Sequence, residues 1–402
     1  MLSGGGARGA YEAGVLHYLL EEFPRRTGLT VDFDIVCGTS VGAINACFLA
    51  ATADEPDDRG QRLVKIWEQL HVDEVFRFHA GSLIGLPRRI LGVRRMAEQL
   101  RAGRRPDRLY GLLDTEPLEQ LVVEAIPWPG IRRNLQAGRL DAVCVAATQI
   151  ATGRAVVFVE RRERGLPAWA SHAHLRMQPI RLMPVHALAS AAIPLLFPSV
   201  RLGSRYYADG GLRLNTPLAP AVRLGANRVL VIGLSHGVPM EVSEALAQER
   251  TSGFGNPMYL FGKVLNALML SPVDADLARL DFVNQIIENG EQVFGPDFLD
   301  RINVATELRG RRPLQRVQAL TIRPSRDLGV LAGELARGEH GELELSSFLK
   351  LFTRSFGSEG GPREADLLSY LLFDVNFTKP LIALGYADAM AKEEELRAFF
   401  AD

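Results

Sequence analysis

The stretch that most restricts the fold runs from residue 31 to residue 53. Val31, Phe33, Ile35 and Cys37 alternate with Asp32, Asp34 and Val36, the period-two pattern of a strand. The run passes straight into Gly38-Thr39-Ser40-Val41-Gly42, and Ala43 to Ala53 then continue as an apolar segment that reads as a buried helix. A strand that becomes a helix within five residues needs a sharp bend. Glycines on both sides of the bend let neighbouring backbone approach where a side chain would collide. The uncharged length of Ile35 to Ala53 nears that of a membrane span. Gly38, Thr39, Ser40, Gly42 and Asn45 interrupt it, and it lacks the flanks of a span.

The rest of the chain repeats this alternation of strand and helix. Gly4, Gly5, Gly6 and Gly9 precede a helical face of Tyr11, Val15, Leu16, Leu19, Leu20 and Phe23 that ends at Pro24. Residues 54 to 60 form a polar linker, and patterning predicts helices near 61–71, 88–101 and 115–126. Leu140 to Thr148 and Ala155 to Val159 read as strands joined by a turn at Gly153, His186 to Ile193 as a short helix stopped by Pro194, and Val229 to Leu234 as a strand covered on both faces. Such alternation implies an α/β layered sheet. After about Ser235 the pattern becomes mainly helical, over 258–270, 272–289, 342–354, 364–373 and 386–400, with one more strand at Gln318 to Ile322. The expected division is therefore 1–235 as an α/β unit and 236–402 as a helical extension packing on or capping it.

Composition excludes some classes. The 402 residues are 47% hydrophobic and 23% charged, enough to build a core, and the formal net charge of -1 disfavours nucleic acid as a whole-protein partner. Cys37, Cys47 and Cys144 lie in apolar segments, which reads as reduced core thiols rather than a disulfide framework. Met1-Leu2-Ser3-Gly4 has neither a charged lead nor an apolar h-region, so the expectation is a cytoplasmic protein without a signal peptide or membrane span.

Three motifs carry chemistry. In Gly38-x-Ser40-x-Gly42 the bend presents the serine hydroxyl at the end of a strand, with a helix N-terminus beneath it that favours negative charge. The competing reading is that Ser40 only caps the helix. In Gly4-Gly5-Gly6-Ala7-Arg8-Gly9, successive glycines let several backbone N–H groups converge on one anionic oxygen. The same glycines fit a dinucleotide fingerprint, but that requires a preceding strand and an acid at the end of the next one. Only Met1 and Leu2 precede the loop, and Asp32 and Asp34 lie within the following strand. Arg8 orients the loop, meets an anionic substrate group, or is a surface arginine. In Asp209-Gly210-Gly211 a short strand, Tyr206-Tyr207-Ala208, ends in an aspartate that either meets Ser40 from a neighbouring loop or sits in an ordinary turn.

Together, and in this order, the three motifs resemble the patatin-like phospholipase family. Ala191-Ala192-Ile193-Pro194 with Phe197-Pro198, Asn215-Thr216-Pro217-Leu218 and Leu224-Gly225-Ala226 are similar too, so the likeness covers about residues 2 to 235. It implies a three-layer α/β sandwich with a mostly parallel central sheet. It also implies hydrolysis of phospholipid or other acyl-ester lipid by a Ser40–Asp209 dyad through an acyl-enzyme, without metal or other cofactor. Gly4, Gly5, Gly6 and Arg8 would line the oxyanion site, with Gly9, Gly38, Gly42, Gly210 and Gly211 as motif glycines. The resemblance further places a buried strand before the glycine loop, so on this reading the first sheet strand is missing or truncated.

Two rivals remain open at this level. The order Ser40, Asp209, His236 fits a classical triad, with His186 as another candidate base. Alternatively the scaffold binds lipid or a partner without catalysis. Between Arg88 and Arg108 stand eight arginines, with Ile90, Val93, Met96, Ala97 and Leu100 on one helical face. That pattern reads either as a peripheral membrane contact with anionic lipid or as a solvated helix in an arginine-rich protein. The eight histidines show no metal-ligand spacing.

Overall fold

The computed structural model describes residues 1–55, 57–77, 108–109, 111–163, 165–236, 257–270, 273–337 and 365–401. The arginine-rich helix expected at 88–101 and the helix expected at 342–354 lie outside the described residues. β1 (Ile35–Thr39), β2 (Ala142–Gln149), β3 (Arg154–Arg161), β4 (Leu175–Pro179), β5 (Val200–Leu202) and β6 (Arg205–Asp209) make one six-stranded sheet. β7 (Arg228–Ile232) and β8 (Gln318–Ile322) make a parallel pair.

β2 organises the sheet. All of it pairs with β3 along one edge, so β1 and β6 must share the other. β1 runs parallel to Ala142–Ala146 of β2, and β6 runs antiparallel to Ala147–Gln149. The two strands therefore approach head to head: Thr39, the last residue of β1, pairs with Ala146, and Asp209, the last of β6, pairs with Ala147. Both chains must leave the sheet at that point, and the residues leaving it are Ser40 and Gly210.

Alternation along β2 sends side chains to two cores. Val143, Val145 and Ala147 join the larger one, with Tyr11, Phe48 and Phe158, while Ala142, Cys144 and Ala146 join a smaller one with Val157, Val159 and Ala221. Helices cover both faces. α1 (Ala10–His17), α2 (Val41–Ala51), α3 (Arg59–Gln69), α4 (Glu116–Ala125) and α5 (Pro184–Ser190) contribute buried residues to the larger core. α6 (Gly211–Leu214) and α7 (Leu218–Arg223) contribute to the smaller one. The result is the expected α/β layering, with one difference. The sheet is mixed rather than mostly parallel, because β2–β3 and β5–β6 are antiparallel hairpins and β6 runs against β2. β1 also begins at Ile35 rather than Val31, since Ile35 pairs with Ala142, where β2 itself begins.

Met1 and Leu2 lie as extended backbone between β1 and β7. Leu2 donates to Cys37 O and accepts from Thr39 N–H, and Ile232 N–H donates to Met1 O. Beyond them a cavity of about 250 Å3 separates the two strands, lined by Phe33, Ile35, Leu230, Phe399 and Phe400 among others. The later helices α8 (Pro257–Leu270), α9 (Val273–Phe294), α10 (Leu328–Ala336), α11 (Asp366–Leu371) and α12 (Val375–Ala391) follow. α12 packs along α1, and α11 packs against the glycine loop. α12 starts well before the helix expected at 386, capped by Asp374, whose carboxylate accepts from Asn376 N–H at 2.8 Å. Pro380 lies inside it. Proline lacks the N–H a helix interior needs, so periodicity reads it as a stop.

The head-to-head arrangement gives a test. A Cβ on Gly210 would stand 2.3 Å from the carbonyl oxygen of Ala146, a backbone atom that cannot swing aside. Gly210→Ala is expected to lower unfolding free energy by about 2 kcal/mol or more. Gly28→Ala, at a left-handed position with nothing within 4 Å, should cost only about 1 kcal/mol. Urea unfolding of both variants checks this, and equal losses would contradict the register described.

Candidate active site

Ser40 sits on the bend between β1 and α2 with φ 54 and ψ -126, a conformation L-residues rarely adopt. The elbow glycines are needed there: a Cβ on Gly38 would lie 2.1 Å from Gly42 O, and one on Gly42 would lie 2.5 Å from Leu2 O. The Ser40 hydroxyl makes no capping bond to α2. It donates instead to Asp209 Oδ2 at 2.6 Å. The competing cap reading therefore does not describe this side chain.

Asp209 is fully buried. Its second oxygen, Oδ1, accepts from Gly211 N–H at 2.7 Å, the first turn of α6. Burial pushes its carboxyl up to about 7, and the bonds from Ser40 and Gly211 offset part of that rise. Both oxygens are engaged, and among the described residues neither His236 nor His186 bonds to them. His236 Nδ1 lies 3.0 Å from Pro324 O. His186 Nδ1 accepts from Met183 N–H at 3.0 Å.

The glycine loop lies against the elbow, where a Cβ on Gly4 would come within 3.0 Å of Ser40 Cβ. Gly4 N–H already donates to Asn215 Oδ1 at 3.1 Å, and Asn215 Nδ2 donates back to Gly4 O at 3.3 Å. Ser3 Oγ and Thr216 Oγ1 are 2.7 Å apart, a second tie to the same segment. The N–H groups of Gly5 and Gly6 have no acceptor among the described residues. The loop then closes into one 3₁₀ turn, Gly6–Gly9, ahead of α1. At Arg8 the arrangement is that of an arginine that orients the loop rather than one that meets an anion or lies at the surface. Its N–H is spent on Gly5 O at 3.2 Å, and its buried guanidinium is bound by acceptors on α8 and α11, so neither group is free to line an anion site.

Several supporting residues escaped the sequence reading. Ser190 Oγ accepts from Ser40 N–H at 2.8 Å and donates to Ala146 O at 2.5 Å, while Ser190 O accepts from Gly210 N–H at 3.1 Å. One side chain and its own carbonyl thus brace the elbow, β2 and the turn after Asp209. The signal was a lone polar residue before the Ala191-Ala192-Ile193-Pro194 run. Glu12 of α1, fully buried, accepts from Asn45 Nδ2 at 2.9 Å, and Asn45 Oδ1 accepts from Trp67 Nε1 at 3.2 Å. Burial raises the Glu12 carboxyl to about 8, with the Asn45 amide offsetting part of the rise. An apolar cavity of about 50 Å3 adjoins α2, lined by Val41, Ile44, Phe48, Trp67, Leu118 and Phe373 among others.

Fold and site together define an α/β protein whose strand–serine–helix elbow faces a buried aspartate. A family model described as patatin-like phospholipase matches residues 1–222, more than half of the chain. The chain belongs to the patatin-like phospholipase family. It is 30% identical over 220 residues to a cGAMP-activated phospholipase of Pseudomonas aeruginosa, a match covering 54% of this chain and 53% of that protein. The chain thus spans about half the length of the curated relative it matches. The crystal structure of VipD from Legionella pneumophila aligns over 94% of this chain and 90% of that one, at 12% identity and a TM-score of 0.30.

Glu12 offers a test of site electrostatics. Its folded carboxyl, at about 8, lies above the ordinary 4.5, so the folded state keeps a proton that the unfolded state loses. The stability this contributes is complete below about pH 4.5 and disappears as pH rises through 8. Glu12→Gln removes the titration. Its unfolding free energy should gain on that of the unmodified protein by about 2 kcal/mol or more between pH 5 and pH 8. Urea midpoints that run parallel over that range would contradict the assignment.

Proposed function

We propose that this protein is a lipid acyl hydrolase of the phospholipase A or esterase type, with Ser40 as nucleophile and Asp209 as its only base. The observation that carries the reading is the 2.6 Å bond from Ser40 Oγ to Asp209 Oδ2 between two buried side chains. A carboxylate near its ordinary value is a poor base for a serine hydroxyl. One held at about 7 is matched to proton transfer at neutral pH.

In the first step Ser40 Oγ attacks the ester carbonyl carbon and its proton passes to Asp209. The carbonyl oxygen becomes an anion received by the N–H groups of Gly5 and Gly6, near the positive end of α2. Collapse breaks the bond to the alcohol, lysolipid or simpler, which leaves with the proton from Asp209. Water then attacks the acyl-enzyme with Asp209 again as base, releasing the fatty acid and restoring Ser40.

The lipid substrate is supported by the family and by the phospholipase activity ascribed to the P. aeruginosa relative. Among the described residues no helix is long and apolar enough to cross a membrane, so we read membrane contact as peripheral. Leu112 and Leu195, both exposed and joined by a Leu112 N–H bond to Leu195 O at 3.0 Å, favour it. Leu195 lies three residues beyond Ala192, whose carbonyl accepts from Asp209 N–H. The three buried free thiols suit a reducing cytoplasm. On this reading residues 1–235 carry the chemistry and 236–402 pack on them.

A fluorophosphonate probe should label the unmodified protein and leave Ser40→Ala unlabelled. With 4-nitrophenyl esters and phosphatidylcholine vesicles, Asp209→Asn should lose activity by about 10³-fold or more, and His236→Ala should stay within about threefold. An unmodified protein that neither labels nor hydrolyses, or a His236→Ala loss as deep as that of Ser40→Ala, would overturn the proposal.

A further inference from the structure

Arg8 carries its charge into the interior, only 2% exposed. A buried guanidinium persists only where its charge and donors are met. Nη2 donates to Asp366 Oδ1 at 3.0 Å, Nε to Ser369 Oγ at 2.7 Å, and Nη1 to Asn266 Oδ1 at 3.1 Å. Its central carbon stands 4.4 Å from the centre of the Tyr370 ring. Asp366 is fixed in turn by Lys263 Nζ, 2.8 Å from its other oxygen. Three of these partners come from α11 and two from α8, both beyond the 1–222 stretch matched by the family model.

The same segment touches the loop a second time. Gly6 has φ +57, and a Cβ there would stand 2.2 Å from the carbonyl oxygen of Tyr370. The backbone of α11 is therefore pressed against Gly6, whose N–H has no acceptor among the described residues. A guanidinium held by a planar set of acceptors fixes direction as well as position. Arg8 N–H is bonded to Gly5 O, so the direction of that side chain is passed to Gly5 and Gly6.

We infer that Asp366 and Ser369 are positioning residues for the oxyanion loop. Through Arg8, α11 aims the Gly5 and Gly6 N–H groups, and displacement of α11 lowers acyl transfer at Ser40. The inference rests on the hydrolase reading above and adds to it a route by which the C-terminal helices set the rate. A donor displaced by a fraction of an ångström binds the ground-state ester almost as before and the tetrahedral anion much less well. The loss therefore belongs in kcat.

The test uses the full chain carrying Asp366→Asn or Ser369→Ala, with 4-nitrophenyl butyrate as substrate and hydrogen–deuterium exchange on peptides spanning residues 3–12. Asp366→Asn is expected to lower kcat by about tenfold or more, and Ser369→Ala, which leaves the ion pair intact, by about threefold. KM should stay within about twofold in both, the midpoint of the pH–rate curve should not move, and exchange at Gly4–Gly9 should quicken. Unchanged kcat, a loss confined to KM, or unaltered exchange in the loop would overturn the inference. Ser369→Ala decides the matter should Asp366→Asn not fold. If the unmodified protein neither hydrolyses esters nor labels at Ser40, the hydrolase reading fails. The exchange data still decide whether α11 holds the loop.

Discussion

The structure depends on two strands ending at the same place on one edge of a third. β1 and β6 approach each other along β2 until Thr39 and Asp209 stand opposite Ala146 and Ala147. Residues 169 positions apart in sequence are thereby brought to a 2.6 Å hydrogen bond, each at the end of a strand. Ser190 reinforces this meeting by bonding to the elbow, to β2 and to the turn after Asp209. A site built on strand ends is held more precisely than one assembled from loops, as the proposed acyl transfer requires.

Burial that fixes the geometry also sets the chemistry. Asp209 and Glu12 are both held above the ordinary carboxylate range by removal from water. For Glu12 this is a cost to stability at neutral pH. For Asp209, on the proposed mechanism, the same shift makes a weak base one suited to take a hydroxyl proton. The glycine loop shows a similar division of labour. Gly4 is consumed in anchoring the loop to Asn215, and Arg8 in anchoring it to α11, which leaves Gly5 and Gly6 as donors without an acceptor among the described residues.

Much of this was legible in the sequence because it is local. The Gly38–Gly42 bend, the Gly153 turn, the strand at Gln318–Ile322 and the apolar helix after Ser40 each follow from spacing within a few residues. What periodicity missed was either irregular or long-range. β4, Leu175 to Pro179, does alternate, with Leu175 and Met177 buried and Arg176 exposed, but it is five residues long and ends in proline, too short a run to stand out from its surroundings. α12 hides behind Pro380. The direction of Arg8 depends on Asp366, 358 positions away, and no local signal reports it. Ser190 and Asn215 act through backbone groups of distant segments, which composition does not reveal. The sheet was expected to be mostly parallel, yet the very turn read at Gly153 makes β2 and β3 an antiparallel hairpin.

The central claim is that a lone buried aspartate takes the proton from Ser40. The most direct measurement is the pH dependence of acylation in a single turnover, followed by release of 4-nitrophenol from excess enzyme. The base must be ionised to act, and its carboxyl is held at about 7, so the rate should climb from pH 5 to 8 with a midpoint near 7 and then level. A rate that is flat across this range, or that has already levelled by pH 5 as an ordinary carboxylate would give, would contradict it.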